Sequence, residues 1–163
     1  MEELQQDINL LFWLTGINGA PILLAKFAGR RFDYPVDGHQ TFIDGRPILG
    51  TSKTWRGFIV AILTGIAIGS LFEFSLTLSL AFGSLSMLGD MTSSFIKRRL
   101  GLNASAMALG LDQIPEALFP LSGCQNWLGI TNEQIVWIVL IFFCLELILS
   151  RILFWLKVRS TPY

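Results

Sequence analysis

The most apolar stretch of the chain is Ile135–Leu156, which reads IVWIVLIFFCLELILSRILFWL. A helix rises about 1.5 Å per residue, so a segment of about twenty apolar residues crosses the ~30 Å hydrocarbon core of a bilayer. Hydrophobic residues make up 52% of the 163 residues and charged residues only 15%, and the mean hydropathy is +0.57. Because a water-soluble domain of this size needs a more polar surface, the sequence predicts an all-α integral membrane protein with a single domain, 1–163.

Four other stretches are candidate membrane spans, and in chain order they are Ile8–Phe27, Phe58–Phe72, Phe74–Met91 and Ile114–Leu128. The second and third form an antiparallel pair that is broken at Glu73. The fourth is weak, because Pro115, Glu116 and Pro120 interrupt it, and taken alone it could be a re-entrant segment. The sequence therefore predicts a polytopic protein with about five transmembrane helices.

The distribution of charge favours five spans over four. With five, all twelve Lys and Arg residues fall on one side of the membrane, and the other side receives only the acidic residues Glu2, Glu3, Asp7, Glu73 and Glu133. The positive-inside rule then places the amino terminus outside and the carboxyl terminus in the cytoplasm. The polar loops between helices 1 and 2 and between helices 3 and 4 are cytoplasmic in this arrangement, and the predicted location is the cell membrane.

Two weaker patterns concern helix packing. Trp13, Trp127 and Trp137 fall near the predicted outer rim and Trp155 near the inner one, as in an aromatic belt. The Gly65-x-x-x-Gly69 motif permits close helix packing, either within the fold or between copies of the chain, so homo-oligomerisation stays open.

Three polar islands lie between Asp37 and Glu116, each at the edge of an apolar run. They read DGHQTFIDGRPILGTSKTWRG, GDMTSSFIKRR and LDQIPE. Charged side chains at bilayer depth or at its rim are costly, so they usually mark a functional site.

The second island places Asp90, Ser94, Lys97 and Arg98 near one face of a helix, at positions i, i+4, i+7 and i+8. An acidic residue one turn inside the rim, with cations below it, suits a metal ion bound beside phosphates. The alternative is that the basic triplet ending at Arg99 only stops the helix at the cytoplasmic face. That alternative does not explain Asp90, since a stop signal needs no acid on its apolar side.

The other two islands carry complementary groups. In GTSKTWRG, glycine and small residues precede a helix, and Lys53 and Arg56 add positive charge, which suits an anion. The spacing is not that of a Walker A loop, and an interfacial loop is the alternative. In LDQIPE, Asp112 and Glu116 are one turn apart, so both carboxylates can face one cavity and bind Mg²⁺, although acids in a first turn also stabilise a helix dipole.

The order DG…DGRPILG…SKTWRG, then GD…SSFIKRR, then LDQ resembles the archaeal CDP-archaeol synthase family and, more distantly, the phosphatidate cytidylyltransferases. The resemblance covers roughly Asp37 to Glu116. It implies a cytoplasm-facing enzyme that uses Mg²⁺ and transfers CMP from CTP to a membrane lipid phosphate, releasing pyrophosphate. The substrate would be archaetidic-acid-like or phosphatidic acid, with tails that stay open between isoprenoid ethers and acyl esters.

The resemblance also implies roles for individual residues. Asp90, Asp112 and Lys97 would form the catalytic set, with Asp90 and Asp112 as metal-binding acids. Lys53, Lys97 and Arg98 would contact the triphosphate, with Thr54, Arg56 and Ser94 as further candidates for CTP binding. Pro115 stands where the family pattern has its second Asp, so Glu116 becomes the candidate for a third metal ligand. The role of Asp44 in the DGR turn stays open.

Two other classes of function remain as alternatives. The chain could be a small membrane transporter that uses Glu116 and Glu146 as intramembrane carboxylates, or a non-catalytic membrane assembly subunit. No nucleic acid partner is expected. His39 lies in a polar loop, where a solvated histidine is more common than a catalytic base.

Overall fold

The computed structural model describes residues 1–29, 31–104 and 106–158, except for the side chain of Glu2. Among these residues it contains six α-helices and no β-strand, and isolated bridges join Pro35 to Thr54 and Thr41 to Pro47. The helices are α1 (Glu2–Ala28), α2 (Trp55–Leu71), α3 (Leu76–Arg99), α4 (Ile114–Gly123), α5 (Gln125–Leu128) and α6 (Asn132–Trp155). The prediction of an all-α protein is confirmed.

Hydroxyl side chains mark the starts of three helices. The Thr54 hydroxyl accepts a hydrogen bond from a backbone N–H in the first turn of α2, and Ser75 does the same for α3. Thr131 and Gln134 form a capping box at the start of α6. Each cap satisfies backbone donors that a helix leaves unpaired at its amino end. These boundaries therefore follow from the local sequence.

Trp13 lies at the centre of the hydrophobic core. Its indole stacks between Phe82, with ring centroids 4.1 Å apart, and Phe74, at 4.9 Å. The indole N–H donates to the Gly65 carbonyl oxygen at 2.7 Å, so the polar end of the ring is also satisfied inside the protein. The expectation that Trp13 belongs to an interfacial aromatic belt is wrong, because its side chain is fully buried.

The Gly65-x-x-x-Gly69 motif packs helices within the chain. A side-chain carbon at Gly69 would collide with Ser79 of α3 and Trp13 of α1. The motif therefore brings α2 against both neighbours, which accounts for it without a second copy of the protein.

A glycine also sets the contact between α3 and α4. A Cβ atom at Gly89 would overlap the backbone carbonyl group of Pro115, so the two helices approach backbone to backbone at this point. α4 itself is short, since its 10 residues rise about 15 Å. The helical conformation is interrupted at Cys124, and the four residues of α5 follow.

Two helices are long and apolar enough to cross a membrane among the described residues. They comprise Glu3–Ala28 and Asn132–Trp155, with mean hydropathies of 1.5 and 2.5, and the apolar helix Trp55–Leu71 is shorter. The five-span count and the orientation remain predictions.

Polar contacts tie α1 to the α5–α6 region at both ends of the molecule. Near the start of α1, the Gln6 side chain donates to the Leu128 carbonyl oxygen at 2.6 Å, and Gln134 donates to Asp7 at 3.4 Å. Beyond the other end, the Lys26 ammonium donates to the Lys157 carbonyl oxygen at 2.7 Å. α1 and α6 therefore run in the same direction, and each begins and ends beside the other.

Candidate functional site

A cavity of about 640 Å³ opens at the end of the molecule where α1 and α6 finish. Its wall combines the loop before α2 with parts of α1, α3, α4, α6 and the loop before α4. Seven of the residues predicted for the site line it: Lys53, Thr54, Arg56, Asp90, Lys97, Asp112 and Glu116. The fold thus brings residues from all three polar islands to one place.

Lys53 and Asp90 form the first ion pair of the cavity. The Lys53 ammonium lies 2.5 Å from a carboxylate oxygen of Asp90, and both side chains are about four-fifths buried, with 22% and 19% of their surfaces exposed. Burial would lower the pKa of Lys53, but the carboxylates of Asp90, Glu116 and Asp112 outweigh it and raise the pKa instead. Lys53 is therefore held as a cation.

Lys97 and Asp112 form the second ion pair. The Lys97 ammonium lies 2.5 Å from one carboxylate oxygen of Asp112 and donates to the Ala106 carbonyl oxygen at 3.0 Å. The other carboxylate oxygen of Asp112 accepts from the Ala108 N–H. Lys97 is buried, so its charge needs these partners. This lysine therefore does more than stop a helix at the membrane face.

Glu116 lies beside Asp90 because α3 and α4 touch at Gly89. Both carboxyl groups line the cavity, and the Lys53 ammonium acts electrostatically on both. Glu146 of α6 adds a further carboxylate to this part of the cavity wall. Carboxylates thus outnumber ammonium groups at the centre of the cavity.

Arg56 and Thr54 line the cavity but have structural partners as well. Arg56 forms an ion pair with Asp33 at 3.0 Å and donates to the carbonyl oxygens of Gly29 and Arg31, both at 2.6 Å. These contacts fasten the end of α1 to the start of α2. The Thr54 hydroxyl accepts from the Gly57 N–H as the cap of α2.

Ser94 and Arg98 are the two predicted site residues that do not line the cavity. Both are buried. Arg98 donates to the Asn103 carbonyl oxygen at 2.7 Å and packs against Gly50, so it joins the loop before α2 to the loop before α4. In this arrangement Arg98 supports the cavity wall from behind.

Asp37 holds the loop of the first island in shape through backbone hydrogen bonds. The Asp37 carboxylate accepts from the backbone N–H groups of Leu49, Gly50 and His39. Partial burial would raise the pKa of Asp37, but these hydrogen bonds outweigh it and lower the pKa. The exposed His39 takes part through its backbone and does not line the cavity.

Asp44, whose role the sequence left open, pairs with Arg99. The guanidinium lies 2.8 Å from the Asp44 carboxylate and stacks over the rings of Phe42 and Phe95, at 4.9 Å from each centroid. Asp44 thus fixes the loop before α2 onto the end of α3.

Sequence reasoning missed the cavity residues on α1 and Ser150 of α6, and it left the role of Glu146 open. The wall includes Asn18, Ile22 and Lys26 of α1, and Glu146 and Ser150 of α6. Both sets follow a spacing of four residues, which places their members on one helix face. Taken together, the polar members of these faces are a signal that could have identified them, because polar residues inside or at the end of apolar spans usually mark a functional site.

The carboxylates of the cavity suit a Mg²⁺ ion that substrate phosphates would also coordinate. No group of three or more His, Cys, Asp or Glu side chains is arranged to hold a metal ion by itself within the described ranges. Mg²⁺ is usually held by one or two carboxylates while substrate phosphates and water complete the shell. Asp90 of α3 and Glu116 of α4 line one cavity and supply that kind of donor set, with Asp112 on the same cavity. The ligand roles of all three acids remain predictions.

Comparison with known proteins agrees with the resemblance drawn from the islands. The family described as CarS-like, CDP-archaeol synthase, matches residues 20–74 and 69–163. A CDP-archaeol synthase from Sulfurisphaera tokodaii is 35% identical over 79% of this chain and 81% of its own length. Another from Pyrobaculum islandicum is 34% identical over 94% of this chain and 96% of its own.

A solved structure shares the fold. It is described as an intramembrane enzyme for archaeal membrane lipid biosynthesis, and it is 27% identical to this chain with a TM-score of 0.69, covering 88% of this chain and 91% of its own. The family match takes in the cavity residues of all three polar islands, and relatives align along most of their length. The chain therefore belongs to the CDP-archaeol synthase family.

Proposed function

We propose that this protein transfers CMP from CTP to an archaetidic-acid-like lipid phosphate, giving a CDP-lipid and pyrophosphate. The observation that carries the proposal is the convergence of the Lys53–Asp90 and Lys97–Asp112 pairs on one cavity that Glu116 also lines. Cations for phosphates and acids for a metal ion are what this reaction needs. No comparable observation favours a transporter or a non-catalytic subunit.

The reaction places modest demands on side-chain chemistry. An oxygen of the lipid phosphate attacks the α-phosphorus of CTP, a new P–O bond forms there, and the bond from the α-phosphorus to the bridging oxygen breaks. That oxygen leaves with the β- and γ-phosphates as pyrophosphate. The nucleophile is already anionic, so no strong base is required. Catalysis then depends on positioning and on stabilising negative charge.

Lys53 and Lys97 would stabilise that charge. Each ammonium is now held by one aspartate inside the cavity, so its direction is fixed before substrate arrives. A triphosphate entering the cavity would take the place of these carboxylates as the partner of the ammonium groups. Asp90, Asp112 and Glu116 would hold Mg²⁺, which when bound neutralises phosphate charge and stabilises the leaving pyrophosphate.

The site would face the cytoplasm in a multi-pass protein of the cell membrane. The cavity lies at the end of the molecule that carries Lys26 and Lys157, which the positive-inside rule assigns to the cytoplasm. CTP would enter from that side, and the lipid phosphate would reach the cavity from the adjoining leaflet. The five-span topology with the amino terminus outside belongs to this proposal.

The decisive experiment is a transfer assay with defined lipids. Purified protein in detergent is incubated with labelled CTP, Mg²⁺ and a panel of isoprenoid-ether and acyl-ester glycerol phosphates, and the products are resolved by mass. We expect a CDP-lipid and stoichiometric pyrophosphate, with the ether lipid preferred. Absence of a CDP-lipid with every member of the panel, from protein that still binds CTP, would contradict the proposal.

A further inference from the structure

We infer that Lys26, in the last turn of α1, binds the phosphate of the incoming lipid. The inference rests on the proposed function and assigns to α1 a part of the site that the three islands do not supply. It divides the cations of the cavity into two groups, one for the nucleotide and one for the lipid.

The pairing of the basic side chains in the cavity sets Lys26 apart. Lys53, Lys97 and Arg56 each form an ion pair with a carboxylate. Lys26 lines the same cavity, yet within residues 1–29, 31–104 and 106–158 its ammonium has no carboxylate partner and donates only to the Lys157 carbonyl oxygen, at 2.7 Å. A neutral carbonyl is a weaker partner than a phosphate, so an arriving phosphate can displace it.

The position of Lys26 also suits a lipid. On α1 and α6 the cavity lies toward the end where Lys26 contacts Lys157, because its wall on α1 runs from Asn18 to Lys26 and does not include Gln6 or Asp7 at the opposite end. Its wall on α1 is formed by Ile22 and other residues that follow the face of the helix down to Lys26. The Lys26 side chain is exposed, and its neighbour Phe27 is 86% exposed on the outside of the helix. Lys26 thus lies where the cavity meets the exposed, partly apolar surface of α1, which a lipid could approach.

The two substrates would bind at different depths in the cavity. Lys53 and Lys97 lie within the cavity, buried among the acids that would hold Mg²⁺, whereas Lys26 lies at its α1 edge. A lipid held at Lys26 keeps its tails outside the cavity and presents a phosphate oxygen toward the nucleotide. A charge-assisted hydrogen bond at this edge would therefore act on lipid affinity and leave CTP affinity unchanged.

The test varies the two substrates separately. Lys26→Ala, Lys26→Arg and the control Arg31→Ala are purified in detergent, since Arg31 is a nearby cation that does not line the cavity. Turnover is measured while an isoprenoid-ether glycerol phosphate is varied at saturating CTP, and then while CTP is varied at saturating lipid. We expect Lys26→Ala to raise the KM for the lipid at least about tenfold, as loss of a hydrogen bond to a charged group does. The KM for CTP should not change, Lys26→Arg should retain most of the lipid affinity, and Arg31→Ala should match the parent protein.

The outcomes distinguish this inference from the proposed function. An unchanged lipid KM in Lys26→Ala, or a rise in the KM for CTP instead, would overturn the role of Lys26 while the transfer activity itself stands. Absence of activity in the parent protein would overturn the proposed function. If Lys26→Ala unfolds, Lys26→Gln, which keeps a donor without the charge, must show the same selective rise in lipid KM or the inference fails.

Discussion

At the scale of single residues, the two lysine–aspartate pairs are better explained by function than by stability. Each lysine can exchange its aspartate partner for a phosphate of the substrate. Removing charges from water costs several kcal/mol per ion, and a buried pair regains this only with good geometry and further hydrogen bonds. Lys97 and Asp112 have those extra bonds, to Ala106 and Ala108. A pair that is kept together and yet can open to a phosphate is of more use to a transferase than an apolar contact would be.

This view predicts that stability and activity separate at Lys97. Lys97→Met should lower the thermal unfolding temperature, because it leaves Asp112 without its cation, and should reduce CTP turnover by at least about a hundredfold. Lys97→Met combined with Asp112→Asn should regain most of the unfolding temperature and none of the turnover. The unfolding temperature and the CTP turnover are measured on the same detergent preparations of each variant. A double variant that regains activity would show that Lys97 serves only to neutralise Asp112.

The acids should also differ from one another. Asp90→Asn and Asp112→Asn keep the shape of the side chain and remove its charge, so pyrophosphate release should collapse while the protein still folds. Glu116→Gln should cause a smaller loss that is partly recovered at high Mg²⁺, if Glu116 supports a metal held mainly by the aspartates. The activity of each variant is measured across a Mg²⁺ titration. Near-normal turnover in Asp112→Asn together with an inactive Glu116→Gln would identify Glu116 as the principal metal acid.

At the scale of elements, the contact between α3 and α4 decides the shape of the site. Gly89 allows the backbone of α4 to lie directly against α3, and this contact places Glu116 next to Asp90. Any side chain at Gly89 would push the helices apart, because the atom it meets is a backbone carbonyl that cannot move aside.

Gly89→Ala should therefore reduce turnover at least about tenfold, since small displacements of reacting groups are costly. Gly19→Ala is the matched control: it is also a helical glycine, but a Cβ there would meet open space, so it should be neutral or slightly stabilising. Transfer activity and thermal unfolding are compared for the two variants. Equal effects of both substitutions would refute the importance of the α3–α4 contact.

The loop before α2 should respond to acid through Asp37. Its pKa is lowered in the folded protein by backbone hydrogen bonds, so its contribution to stability is fully present above its unfolded value of about 3.9. That contribution is lost as the pH falls through the lower, folded pKa. Asp37→Asn should consequently lower the unfolding temperature at pH 7, and the difference from the parent protein should shrink toward pH 3. A difference that is constant over this range would exclude the carboxylate as its cause.

At the scale of the whole molecule, sequence reasoning could predict what depends on pattern and not what depends on packing. The all-α class and the gathering of the islands follow from hydropathy and from charges at the span ends. The burial of Trp13 could not be predicted, because it depends on Phe82 of α3 and on Phe74 in the turn between α2 and α3. The sequence also could not predict that Ser94 and Arg98 do not line the cavity. Helical spacing shows which residues share a face of the helix, but not which element packs against that face. Asn18 and Lys26 were missed because a single polar residue in an apolar span carries little signal alone.

The orientation of the chain in the membrane is the prediction that involves every element. α1 and α6 run in the same direction, since Gln6 and Gln134 mark one end of the molecule and Lys26 and Lys157 the other. The beginning of α1 and the end of α6 are therefore on opposite sides, as an odd number of crossings requires. The basic residues select the end with Lys26 as cytoplasmic.

Reporters fused at the two termini test this arrangement. One reporter that is active only in the cytoplasm and one that is active only outside are each fused after Tyr163 and before Met1. The cytoplasmic reporter should be active only after Tyr163, and the external reporter only before Met1. The expected pattern requires the short α4 and α5 to complete a crossing together, with α4 packed against α3 and their broken backbone shielded from lipid. Termini on the same side would contradict the parallel course of α1 and α6 and, with it, the five-span count and the entry of CTP from the cytoplasm to the cavity wall that the two helices share.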